Sequence, residues 1–270
     1  MAVCPYCGGK GGGLCSANTN LQANILKKDM NAFTSIFESV INATRTADDI
    51  FLEIQTEISQ ALNDYITNPL LAIMSINRVL KRPAELAVNV LNKAAGYVSF
   101  IDTVIDSHPY YTYSEKFLKE TMLSFASADM CLSVTSGEFR DKSESLYTEK
   151  LLLETEKKVL VSFETIEGKI AGTYEEKYLQ GEEYTINIEA KKELIRMFDI
   201  TRTYLIENIN NLPTKRTLIL NKDRNYIDVC YEVYGNVEEE TLNRLLEDNN
   251  IKGEEIFMLR RGRSINYYID

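Results

Sequence analysis

From Thr217 to Tyr268 the chain follows an order that few folds accommodate: strand, helix, helix, strand. Thr217-Leu-Ile-Leu220 is rich in strand formers, and Tyr226 to Tyr234 has a helical period. Gly235 follows, the residue that supplies a left-handed helix stop. Glu238-Glu239-Glu240 opens a second helix, where negative charge suits the positive end of the dipole. That helix is predicted to run to Asn249-Asn250, with Lys252-Gly253 turning the chain into Ile256-Phe-Met-Leu259 and Ile265-Asn-Tyr-Tyr268 as the last strand. A unit this small, without grouped catalytic residues, is built to bind.

The helix pair "YIDVCYEVYG" and "ETLNRLLEDNNI", followed by Leu-x-x-Gly-x-x-Ile-x-Tyr from Leu259 to Tyr267, resembles a LysM-like domain of the kind found in phage tail proteins. The preceding "FDITRTYLIENINNLPTKRTLILN" is similar to the C-terminal part of the phage DNA-circularisation, or tail hub, family. Together the resemblance spans roughly residues 195–270. Secreted LysM repeats open with a Gly-Asp-Thr-Leu-type turn. The equivalent place here reads Lys222-Asp223-Arg224-Asn225, a departure from a standard glycan-binding groove.

The chain has 270 residues, enough for two domains and a sizeable core, and a formal charge of −10. That charge opposes general nucleic-acid binding, which needs Lys and Arg to displace counterions. The DNA handling implied by the family's name therefore finds no support in the charge. Arg260-Arg261-Gly-Arg263 is a local basic cluster, read first as a solvated turn with a salt bridge and second as a phosphate contact. No basic region followed by an apolar core opens the chain and no 18-residue apolar run occurs, so neither a signal peptide nor a membrane span is expected.

Cys4-Pro-Tyr-Cys7-Gly-Gly, with Cys15 beyond a run of glycines, is the sharpest local motif. Glycines after a Cys-x-x-Cys let backbone amides face thiolates, as in a zinc knuckle. Cys4, Cys7 and Cys15 are candidate zinc ligands, a fourth coming from His108, Cys131, Cys230 or a neighbouring subunit. A disulfide or redox-labile pair, and a metal-free glycine-rich arm, are the competing readings. Cys131 and Cys230 sit among apolar neighbours and read as buried thiols.

Between arm and module lies a helical body. Leu26, Met30, Phe33, Phe37, Val40 and their successors to Tyr65 step in threes and fours, a stripe that favours bundle packing over a regular coiled coil. A second tract runs from Leu70 to about Ile105, with Pro83 expected to kink or split it at Lys81-Arg82. Ser114 to Val134, Lys142 to Phe163 and Ala190 to Asn211 read as further helices. Val159–Phe163 and Tyr184–Ile188 carry enough β-branched residues to suggest a small hairpin as well.

The expected architecture is mainly α: a Cys/Gly-rich N-terminal arm (1–20), a long-helix bundle body with a connector helix (21–213), and a small α+β module of βααβ order (214–270). One histidine, His108 before a proline, leaves little room for acid–base chemistry. No Gly-x-Ser-x-Gly, His-Glu-x-x-His or Rossmann fingerprint occurs, so no enzyme is expected. Sixteen tyrosines point to contacts instead; Tyr231, Tyr234, Tyr267 and Tyr268, with Arg260 and Arg261, are the candidate partner-binding residues. The resemblance implies a structural component of a contractile tail or related injection machine, made in the host cytoplasm and carried in the virion. Its partners would be other tail or baseplate proteins in a symmetric assembly. Peptidoglycan binding is the alternative, and wall hydrolysis a third.

Overall fold

The computed structural model describes residues 27–28, 30–32, 35–36, 56, 69–85, 89–106, 113–169 and 183–269. The described residues are mainly helical, with a small two-stranded sheet near the C-terminus. They fall into two compact units, one of residues 1–138 with 148–205, the other of 139–147 with 206–270. The described residues within the predicted 26–65 stripe are helical, and the remainder of that stripe lies outside the described residues. No described helix is long and apolar enough to cross a membrane.

In the first unit, α1 (Pro69–Glu85) and α2 (Val90–Asp106) both pack on α3 (Tyr113–Thr135). Ala72, Ile76, Val79 and Leu80 of α1 are buried at helical spacing, as are Ala94, Tyr97, Ile101 and Val104 of α2. Pro83 does not split α1 at Lys81-Arg82; the helix continues to Glu85. The proline sits in the last turn, where few bonds remain to lose, and α2 donates to two carbonyls of that end. Tyr97 donates its hydroxyl to the Leu80 carbonyl at 2.7 Å, and Lys93 donates to that of Ala84 at 3.0 Å.

The chain continues through α4 (Lys142–Ile166), the short strands β1 (Gly168–Lys169) and β2 (Glu183–Tyr184), and α5 (Ile188–Ile209). Val159 to Phe163 is helix, not strand: Val159 and Phe163 are both buried, four residues apart on one face of α4. Tyr184 does form a strand, but its partner is Gly168, in an antiparallel pair of two residues per strand. Asn187, just beyond, donates its N–H to Glu120 at 3.0 Å, and the Tyr184 hydroxyl donates to the same carboxylate.

The second unit contains β3 (Thr214–Ile219), α6 (Tyr226–Tyr234), α7 (Glu239–Asp248), a 3-10 turn (Gly253–Ile256) and β4 (Ser264–Ile269). β3 and β4 pair antiparallel with Thr217 opposite Asn266. Leu220, Val229, Cys230, Leu245, Ile251, Leu259 and Ile265 form its core. Asn225 caps α6 by accepting the Ile227 N–H at 2.9 Å, and Gly235 stops it at φ 74°. Ile256-Phe-Met-Leu259 is not a strand. Gly253 (φ 61°) starts a 3-10 turn that takes Ile256, and Leu259 makes a single bridge to Arg224.

Candidate docking surface

The turn Lys222-Asp223-Arg224-Asn225 is the fastening point of the module. Arg224 and Leu259 exchange both backbone hydrogen bonds, at 2.9 and 2.8 Å. The Asp223 carboxylate accepts the Arg261 N–H at 2.7 Å. Gly262 donates to the Leu220 carbonyl at 2.7 Å, and Leu220 donates to that of Arg263 at 3.0 Å. The Arg224 guanidinium pairs with Glu232 on α6. The two loops flanking the helices are thereby locked to each other, each charged residue of 222–225 but Lys222 having an assigned structural task.

From this locked platform Phe257 projects with 78% of its surface exposed, and Met258 with 56%. Arg260 and Arg261 are exposed in the following turn. Arg263, the third cation of the cluster, turns inward instead, donating to the Asn249 carbonyl at 3.0 Å and to Glu255 at 3.2 Å. On α6, Ile227 and Tyr231 are exposed four residues apart, hence on one face, Tyr231 at 63%. Exposed apolar side chains held on a rigid backbone are suited to burial against a partner protein.

The remaining tyrosines serve the module itself. The Tyr234 and Tyr267 rings meet edge to face, 6.3 Å apart at 87°. The Tyr234 hydroxyl accepts the Tyr268 N–H at 3.3 Å, and the Arg244 guanidinium lies 5.4 Å from the Tyr268 ring centre. Burial raises the pKa of both Tyr234 and Tyr268 phenols. Of the six candidate contact residues, Tyr234, Tyr267 and Tyr268 are thus brought together half-buried against one another, while Tyr231, Arg260 and Arg261 are exposed. Phe257 and Met258 escaped the sequence reading because an apolar run of four reads as a buried strand.

Cys4, Cys7, Cys15 and His108 lie outside the described residues, and with them the zinc reading. Cys131 and Cys230 are buried free thiols. Burial pushes the Cys131 thiol up to about 12, so it stays protonated and behaves as a small apolar group. It lines a cavity of about 490 Å³ with Leu132, Met197, Ile200 and Thr201, in the first unit. Among the described residues no cluster of three His, Cys, Asp or Glu is placed to hold a metal ion. Comparison with protein-family models, with curated proteins and with solved structures finds no match for this chain.

Proposed function

We propose that the chain is a non-enzymatic structural component of a contractile phage tail or related injection machine, acting as a scaffold near the junction of hub and tube. Its C-terminal LysM-like module would dock on another tail or baseplate protein, and its helical body would brace the assembly. The observation that carries this reading is the locked βααβ unit with Phe257 and Met258 projecting from it. The sequence resemblance over residues 195–270 supplies the tail context. Synthesis in the host cytoplasm and incorporation into the virion belong to the same proposal, as does a zinc clip at Cys4, Cys7 and Cys15.

The test is sedimentation of the tagged chain from lysed producer cells through a density gradient, followed by electron microscopy of the fractions. The expected result is recovery of the chain in fractions holding tail-like particles, in a fixed ratio to the other tail proteins. Retention on purified sacculi, with none of the chain in particles, would favour wall binding instead.

A further inference from the structure

The two edges of the C-terminal sheet are finished differently. Leu220 directs its N–H and C=O to the β4 side, at 3.0 Å to Arg263 and 2.7 Å from Gly262. In an antiparallel ladder this direction alternates. Leu218 and Arg216 therefore also face β4, while Lys215, Thr217 and Ile219 turn their backbone groups outward. On β4 two of the three outward residues are met by side chains: the Asn266 N–H and C=O by Asn249, and the Tyr268 N–H by Tyr234. On β3 the outward groups meet no hydrogen-bond partner among the described residues. Lys215, Thr217 and Ile219 are all exposed, Ile219 at 66%.

We propose that this open edge of β3 is a docking strand for an extended, acidic segment of a partner protein, which would add a third strand beside Lys215–Ile219. Main-chain hydrogen bonds would hold the segment, and side chains would select it. The selection is electrostatic. The strand carries Lys215 and Arg216, no carboxylate, and no ion pair within 4.0 Å among the described residues. Asp248 and Tyr268, on the Lys215 side, feel Arg244 and Arg140 but also Glu247 and Asp141, so the cationic bias lies in the strand itself, two cations on a chain whose total is −10. Pairing with a second copy of β3 would bring four cations into adjacent strands, whereas an acidic strand neutralises them; edge lysines commonly act against self-pairing. Such docking does not depend on the tail assignment.

The probe is a seven-residue acetylated and amidated peptide alternating Glu and Val, with a Lys-Val peptide as control, titrated into the full-length chain. The expected result is binding of the acidic peptide only, with hydrogen-exchange protection at the amides of Lys215, Thr217 and Ile219 and none gained at Arg216 or Leu218. Thr217→Pro removes the central outward N–H at a place where an edge strand tolerates proline, and should weaken binding roughly tenfold. Should that variant fail to fold, Lys215→Glu with Arg216→Glu decides, by reversing the preference to the Lys-Val peptide. No binding at about 1 mM acidic peptide, equal binding of both peptides, or protection without the alternating pattern would overturn the proposal. So would a dimer of the free chain that Thr217→Pro dissociates, which would make a second copy the occupant.

Discussion

Asn249 brackets the backbone of Asn266: its Oδ1 accepts the Asn266 N–H at 2.6 Å and its Nδ2 donates to the Asn266 carbonyl at 2.9 Å. One side chain thus stands in for a strand on the outer edge of β4. The same amide donates to the Leu245 carbonyl at 3.0 Å, closing the last turn of α7. Asn249→Ala leaves these groups without their partner and should destabilise the C-terminal unit by about 1–3 kcal/mol. Asn249→Asp keeps the acceptor but loses the donor and puts a negative charge at a helix C-terminus, so it should destabilise as well. Chemical denaturation of the full-length variants checks both.

Phe257 and Met258 are exposed, so Phe257→Ser with Met258→Ser should leave stability within about 0.5 kcal/mol of the parent. Association with the partner should fall at least tenfold if these side chains anchor the contact. A melting curve and a binding isotherm on the same preparation separate the two effects. An equal fall in stability and binding would point to a structural role.

Gly137 has no room for a side chain: a Cβ there would lie 2.1 Å from Cγ2 of Val90, at the start of α2. Gly137→Ala should therefore destabilise the first unit by about 1–3 kcal/mol. Val90→Ala removes the clashing methyl, so the double variant should be more stable than the sum of the two single losses predicts. A double-mutant cycle in denaturant gives the coupling directly.

Asp129 in the first unit is a buried carboxyl. Burial raises it to about 7, with Lys81 opposing and Glu85 reinforcing the shift, and its Oδ2 has no hydrogen-bond partner among the described residues. Its folded pKa exceeds the unfolded value, so its contribution to stability is fully present below about pH 4 and is lost as the pH rises through about 7. Asp129→Asn should remove that loss, stabilising the protein at pH 8 relative to the parent by about 2–4 kcal/mol more than it does at pH 4. Thermal unfolding of parent and variant across this range measures the difference.

Much of the C-terminal unit was legible because its punctuation is local. Gly235 stops α6 as a left-handed residue, and Glu239 and Glu240 occupy the first turn of α7. The errors arose where local pattern is ambiguous. Val159–Phe163 has strand-like composition, but its burial repeats at four residues because α4 continues through it. Ile256–Leu259 has the apolarity of a buried strand, yet only Leu259 is buried. Pro83 is a helix breaker tolerated because it falls in the last turn, an end that Tyr97 and Lys93 tie to α2 through the Leu80 and Ala84 carbonyls, contacts that no local window contains. Nor can spacing tell which tyrosines pack on the module: Tyr231 and Tyr234 are three residues apart on α6, one exposed and one half-buried against Tyr267.

The proposed docking of the C-terminal unit on another protein of a tail-like particle would bring its lysines beside that protein. Cross-linking mass spectrometry of the intact particle, with a lysine-reactive reagent, tests it most directly. Expected are cross-links from Lys215, Lys222 or Lys252 of this unit to one particular tail or baseplate protein, lost together with particle association in the Phe257→Ser, Met258→Ser variant. Particles that contain none of the chain, or cross-links confined to the chain itself, would contradict it.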